Sequence, residues 1–281
     1  MKYKLLGNTG LKVSELCLGT MTFGGKGWAK MVGSLDQQAV DKIMRRSIDA
    51  GINFIDTANV YSEGLAEELT GKSIRNLGLK RDDLVVATKV RGQMGEGPND
   101  SGLTRKHILT QVDASLKRLA TDYIDLYQIH SFDPLTPLAG DAVDPRRSGE
   151  KRQGSLHRRQ QRRGWRLMKA LDFSNYTRVE AFASLQAYYT IAGRDLEREM
   201  IPLLKDQRLG LLVWSPLAGG LLSGKYRRGE EKGDTGRRSG FDFPPVDKER
   251  AFNIIDVLRP MAESRKASVA RLALAGCCSR K

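Results

Sequence analysis

Through its first 130 residues the chain alternates short apolar runs with longer stretches whose apolar positions recur at helical spacing. Tyr3–Leu6 and Leu11–Val13 flank a Gly-Asn-Thr-Gly turn at 7–10 and predict a strand pair. Glu15–Leu18 predicts a short strand. Ser34 and Gln37 stand three apart as in a capping box, and Val40, Ile43, Met44 and Ile48 then repeat with helical period until Gly51. Asn53–Asp56 predicts a strand, 65–75 a helix, and Leu84–Lys89 a buried strand. Thr104 caps a helix with Ile108, Val112, Leu116 and Leu119 on one face, and Tyr123–His130 is the next strand.

Further on, Trp165–Leu171 reads as helix, Ala183–Tyr188 as strand, Asp195–Lys205 as helix and Gly210–Trp214 as strand. A Gly- and charge-rich loop over 216–245 precedes a helix at 248–263 and a last helix near Ser268. Strands alternating with helices predict βαβ units and a parallel sheet, an α/β fold. A single domain over 1–281, built as a (β/α)8 TIM barrel, is the simplest architecture. A doubly wound sheet would want a Gly-rich turn after an early strand, and Gly19-Thr-Met-Thr-Phe-Gly24 is not G-x-G-x-x-G.

Composition narrows the picture. Three cysteines in 281 residues cannot staple a secreted scaffold, and no apolar run reaches membrane-spanning length. The expectation is a cytoplasmic chain without export signal or membrane contact. The net charge of +14 raises nucleic acid as a partner. Much of the excess sits in 139–164, which holds seven Arg and one Lys against three acids. That segment lacks the interleaved aromatics of a base-stacking platform, so nucleic acid is disfavoured. Cys17 is expected in the core, and His107 and His157 offer no metal spacing, so no metal is expected.

Four ionisable residues fall at or just past the ends of three consecutive strands: Asp56 and Tyr61, then Lys89, then His130. In a parallel barrel those ends share the face that carries active sites. Lys89 ends an apolar strand and needs a carboxylate to stay charged, which Asp56 is placed to provide. A cationic Lys89 beside Tyr61 favours phenolate and makes the phenol usable as an acid, while His130 can orient a carbonyl oxygen. Gly219-x-x-x-x-Gly224-Lys225 mimics a phosphate-binding loop, but Tyr226 stands where a Ser or Thr would hold magnesium.

The stretches GINFIDTANVYSEGLAEELTGKSI (51–74), DLVVATKV (83–90), SLKRLATDYIDLYQIHSFD (115–133) and LVWSPLAGGLLSGKY (212–226) resemble the aldo-keto reductases. The likeness is to the branch with potassium-channel β-subunits and aryl-alcohol-dehydrogenase-like enzymes. It implies a TIM barrel, NADPH/NADP+ as cofactor, a small-molecule carbonyl substrate, and catalysis by Asp56, Tyr61, Lys89 and His130. It further implies cofactor contacts from Thr20, Met21 and Asp56, a carboxamide contact from Gln186, and a pyrophosphate wrap by Trp214, Ser215, Pro216, Leu217, Ala218 and Lys225. Trp28, Tyr188 and Tyr189 are candidates for the substrate pocket. Ser174-Asn175 imitates the family's carboxamide-binding pair but follows a helix instead of a strand, and is not given that role.

The same likeness expects a helix and the fifth barrel strand at 139–164. Those residues show neither apolar period and read as an anomalous basic loop. Permitted codons for Gly140 to Gln161, shifted by one base, encode an amphipathic helix and a Val-Arg-Tyr-Ile-Gly strand. The tail at 276–281 admits a similar shift, and no eighth strand or final helix follows. These features suggest a frameshifted coding sequence, with strand five scrambled and strand eight missing. The alternatives to a reductase are therefore a catalytically inactive relative, able to bind a partner as channel β-subunits do, or a frameshift product with impaired cofactor binding and poor solubility. The oligomeric state stays open.

Overall fold

A computed structural model describes residues 1–137, 153–157, 164–177, 181–229, 238 and 241–278. Two compact units emerge, Met1–Gln186 with Leu203–Leu211, and Ala187–Pro202 with Leu212–Lys281. An antiparallel hairpin opens the chain, β1 (Tyr3–Leu5) against β2 (Lys12–Ser14). The remaining strands are β3 (Cys17–Gly19), β4 (Phe54–Asp56), β5 (Val85–Val90), β6 (Leu126–Ile129), β7 (Gln153–His157), β8 (Phe182–Tyr188) and β9 (Gly210–Trp214). They form one sheet in sequence order, β3-β4-β5-β6-β7-β8-β9. Every ladder from β3 to β8 is parallel, as strand–helix alternation predicts. Among the described residues the order does not close into a barrel.

The first unit packs α1 (Gln37–Asp49), α2 (Leu65–Asn76) and α3 (Arg105–Leu119) on the sheet. Phe23, Val40, Met44, Ile55, Val86, Val112 and Ile124 form their common core. β5 is buried along its whole length, which is why its sequence VVATKV is almost wholly apolar until Lys89. α2 and α3 meet closely at Gly71, where any side chain would collide with the Leu119 carbonyl. Thr104 caps α3 as expected, accepting from the His107 N–H at 3.3 Å. α1 is capped by Asp36, which accepts from the Ala39 N–H at 2.9 Å, and not by the expected Ser34–Gln37 box. The reason is that Leu35 is pinned in extended backbone against Phe23, so the helix begins only at Gln37.

The second unit contains α6 (Lys248–Ser264) and α7 (Val269–Cys278), packed on a core of Ala218, Leu221, Leu222, Phe252, Ile255 and Ala273. The expected helix at 195–205 is instead a short 3-10 turn, Asp195–Glu197, followed by α5 (Met200–Asp206). A helix begun at Asp195 would carry Pro202 in its interior, whereas from Met200 the proline falls in the first turn, where its missing N–H costs nothing. α7 runs on through Gly276, Cys277 and Cys278, the start of the segment expected to be aberrant; residues 279–281 lie outside the described residues.

Two further expectations are corrected. The segment 139–164 contains a strand: β7 pairs with β6 through Leu126↔Gln153 to Ile129↔Leu156, and with β8 through Ser155↔Ser184 to His157↔Gln186. β6 and β8 would each leave a row of buried N–H and C=O groups unpaired without a strand between them. A parallel ladder is made by backbone groups alone, so the slot selects an extended segment whatever its apolar period. α4 (Gly164–Thr177) follows it, beginning one residue before the predicted helix. The rest of the basic segment, 139–152 and 158–163, lies outside the described residues. Cys17, in turn, is exposed and not core, because β3 is an end strand of the described sheet.

Candidate active site

Parallel register brings the first unit's ionisable residues to one side of the sheet. Gly19 pairs with Asp56, Asp56 with Ala87, and Lys89 with Gln128, so the ends of β3 to β6 lie side by side. Lys89 has no solvent exposure at all. Its ammonium carries three N–H groups and donates to three acceptors: Asp56 Oδ2 at 2.5 Å, the Thr57 carbonyl at 2.8 Å and Tyr61 Oη at 3.4 Å. Burial by itself would push the Lys89 pKa down. The charges of Asp56 and Tyr61 and their hydrogen bonds outweigh it, and the amine is held above its ordinary value of 10.5. The group is thus a cation at neutral pH, set against the phenol.

This arrangement constrains the tyrosine. Lys89 has donors only, so Tyr61 Oη accepts from it, and the phenol proton cannot point back at the amine. The His130 ring meets Tyr61 edge-on, with centroids 5.7 Å apart and planes at 85°. The four residues expected to act together are brought together.

Asp56 is held at both oxygens. Its Oδ1 accepts from Gln128 Nε2 at 2.7 Å and from Gln186 Nε2 at 3.0 Å, while Oδ2 faces Lys89. Gln128 escaped the sequence reading. Its signal is a polar residue in an otherwise apolar strand, two positions before His130. Gln186, expected to meet a cofactor carboxamide, spends its amide N–H on Asp56, and its carbonyl oxygen takes no part in that bond.

The backbone after Tyr61 is unusual. Ser62, Glu63 and Gly64 stand consecutively in left-handed conformation, at φ of 50°, 57° and 94°. Each non-glycine in that region costs about 1–2 kcal/mol. Ser62 Oγ donates to the Phe23 carbonyl at 2.8 Å and accepts from the Gly25 N–H at 3.0 Å, which fixes the turn from one side. A strained turn beside an ionisable side chain is a recurrent mark of function.

Thr20 sits at the end of β3, its N–H donating to the Asp56 carbonyl at 2.9 Å. Its Oγ1 is fully buried with no hydrogen-bond partner, an atom suited to a hydroxyl of a bound ligand. Met21 is half-buried against the first unit's core.

The second unit holds the other residues expected at the cofactor. Trp214 ends β9 and stacks on Phe243 at 5.7 Å with planes 8° apart, while Tyr188 lies against it at 5.0 Å with its ring tilted by 35°. Ser215 and Ala218 are both left-handed, at φ of 51° and 50°, and bracket Pro216 and Leu217 in a tight turn. Ser215 Oγ accepts from the Gly219 N–H at 3.0 Å. Arg238, buried, donates to the Ala218 carbonyl at 2.7 Å and the Pro244 carbonyl at 3.0 Å. The Lys225 amine lies 5.1 Å from the Tyr226 ring centroid. Ala218–Ser223 is a 3-10 turn, and among the described residues no α-helix begins at Gly224-Lys225, so the phosphate-loop resemblance ends there.

Of the substrate-pocket candidates, Trp28 is exposed and Tyr188 half-buried. Tyr189 is buried and donates to Glu197 Oε1 at 2.5 Å. Among the described residues, no group of three or more His, Cys, Asp or Glu side chains could hold a metal. No helix among them is long and apolar enough to cross a membrane.

Comparison with known proteins matches residues 15–276 to the model of the aldo/keto reductase family. A probable voltage-gated potassium channel subunit beta of Oryza sativa subsp. japonica is 35% identical, covering 99% of this chain and 84% of that protein. An uncharacterized oxidoreductase of Bacillus subtilis (strain 168) is 38% identical over 89% of this chain and 76% of its own length. A versiconal hemiacetal acetate reductase of Aspergillus parasiticus is 31% identical, over 98% and 84% respectively.

Proposed function

The chain belongs to the aldo/keto reductase family, and on that premise we propose that it reduces an aldehyde or ketone to an alcohol with NADPH. The observation that carries this reading is the Lys89 ammonium, which spends its third N–H on Tyr61 Oη at 3.4 Å. NADPH, when bound, supplies a hydride to the carbonyl carbon. Tyr61 gives its proton to the carbonyl oxygen as charge builds there, and Lys89 stabilises the phenolate left behind. His130, edge-on to Tyr61, orients the oxygen between them. Asp56 keeps Lys89 charged although the amine is fully buried.

Thr20, with its unpartnered buried hydroxyl, fits a ribose contact, and Met21 and Gln186 complete the first unit's share. The turn Trp214–Ala218 and Lys225 are proposed for the phosphates, and NADPH in place of NADH rests on the family likeness. The test is oxidation of NADPH by the purified protein against a panel of aromatic and aliphatic aldehydes. Aldehyde-dependent loss of nicotinamide absorbance is expected, falling about 10²- to 10⁴-fold in Tyr61→Phe while nicotinamide fluorescence still reports binding. Absence of both turnover and binding would sink the reading.

A further inference from the structure

One buried carboxylate near the site has no part in the chemistry above. Glu67, in the first turn of α2, has no solvent exposure. Its Oε1 accepts from Thr88 Oγ1 at 2.5 Å, and its Oε2 from Arg118 Nε at 2.6 Å. Thr88 is equally buried and immediately precedes Lys89 on β5. Arg118, near the end of α3, steadies its guanidinium on Ser115 Oγ at 3.2 Å. Its side chain then crosses directly beneath Gly64: a Cβ there would come within 2.7 Å of Arg118 Cδ and 3.0 Å of Nε. Gly64 is the last of the three left-handed residues that carry the chain away from Tyr61.

The carboxylate therefore holds two things at once. Through Arg118 it backs the left-handed turn at Gly64, whose Ser62 is held by Phe23 and Gly25. Through Thr88 it ties the same turn to the strand position beside Lys89. We propose that Glu67 is a positioning residue for the proton donor: it fixes the spacing between the Tyr61 phenol and the Lys89 ammonium without touching substrate or cofactor. An isolated ion pair on the outside of a helix would make no such link. What singles out this pair is that its two ends reach the two segments bearing the reacting acid and its cation. The inference rests on the carbonyl-reductase reading for its kinetic readout, but not for its spectroscopic one.

The test uses the full-length protein, Glu67→Gln and Arg118→Lys. The glutamine keeps shape and the Thr88 contact but withdraws the charge facing Arg118; the lysine keeps the charge but loses the planar guanidinium beside Gly64. In both, kcat is expected to fall about tenfold to a hundredfold, with KM and nicotinamide binding changed less than about threefold. As Tyr61 drifts from Lys89, the alkaline limb of kcat moves to higher pH. Independently of turnover, phenolate absorbance of each protein minus that of its Tyr61→Phe counterpart reports the Tyr61 titration, which is expected to move the same way.

A fall in thermal stability with unchanged pH limb and unchanged Tyr61 titration would overturn the proposal, leaving Glu67 a stability residue only. If Glu67→Gln does not fold, Arg118→Lys decides by the same two readouts. If the parent protein binds and turns over nothing but its Tyr61 titration still shifts in the variants, the positioning stands and the reductase reading fails.

Discussion

Lys89 and Gln128 stand opposite one another in the β5–β6 ladder and grip the two oxygens of the same carboxylate. The lysine donates to Asp56 Oδ2 at 2.5 Å and the glutamine to Oδ1 at 2.7 Å. The carboxylate can therefore neither rotate nor retreat, and the ammonium is set between it and the phenol. Replacing Gln128 by Met keeps the volume but removes this donor. Gln186 remains on the same oxygen, so the expected cost is about 1–2 kcal/mol of stability by urea unfolding. The accompanying kinetic change is a fall in kcat with little effect on KM, read from steady-state rates.

Lys89 also gives the fold a defined pH response. Its folded pKa lies above 10.5, because Asp56 and Tyr61 overcome the burial that would lower it. A group bound more tightly to its proton in the folded state stabilises fully below its unfolded pKa and loses that contribution as pH rises through the folded value. The urea midpoint is thus expected to decline once pH passes 10.5. In Asp56→Asn the buried amine loses its counter-charge, so stability at neutral pH drops by about 3 kcal/mol and the alkaline decline flattens.

The turn after Tyr61 offers a cleaner contrast between two glycines of the same unit. At Gly64 the backbone is left-handed with φ of 94°, and an added Cβ would strike Arg118 Cδ at 2.7 Å. At Gly78 φ is 59° and nothing lies within 4 Å of an added Cβ. Gly78→Ala is expected to cost only about 1 kcal/mol, the left-handed penalty alone, and to leave kcat intact. Gly64→Ala is expected to cost about 2–3 kcal/mol and to lower kcat, because the displaced turn carries Tyr61. Paired thermal melts and kinetics on the two variants check both halves.

The grouping of Asp56, Tyr61, Lys89 and His130 was legible in the sequence because each of the four ends, or closely follows, a run of apolar residues. An ionisable side chain at such a place has to be paid for by a partner, and the alternation of strands and helices says which partners share a face. Gln128 is marked only as a polar residue in an apolar strand, and its role was not legible, since an uncharged amide there announces no electrostatic need. Its role depends on the register of β4, β6 and β8 together. The cap at Asp36 and the exposure of Cys17 were hidden for a similar reason: both are decided by pairing, Leu35 against Phe23 in one case and the end position of β3 in the other. The hardest element was β7. Residues 153–157 carry no strand period, and what makes them a strand is the pair of neighbours whose backbone they satisfy.

That account of β7 can be tested at Ser155, which pairs with Gln128 on one side and Ser184 on the other. Side-chain identity at an internal position of a backbone-selected strand matters little, whereas the backbone N–H matters a great deal. Ser155→Ala is therefore expected to leave stability within about 0.5 kcal/mol of the parent. Ser155→Pro removes a donor from the middle of a parallel sheet and is expected to cost about 3 kcal/mol or more, enough to send much of the expressed chain into the insoluble fraction. The strand positions Gln128, so the loss should reach the site as well. Any Ser155→Pro protein that stays folded is expected to show a lower kcat than Ser155→Ala. Equal solubility, stability and kcat for the two variants would mean that 153–157 does not run between β6 and β8, and that the residues of the basic segment form no part of the sheet.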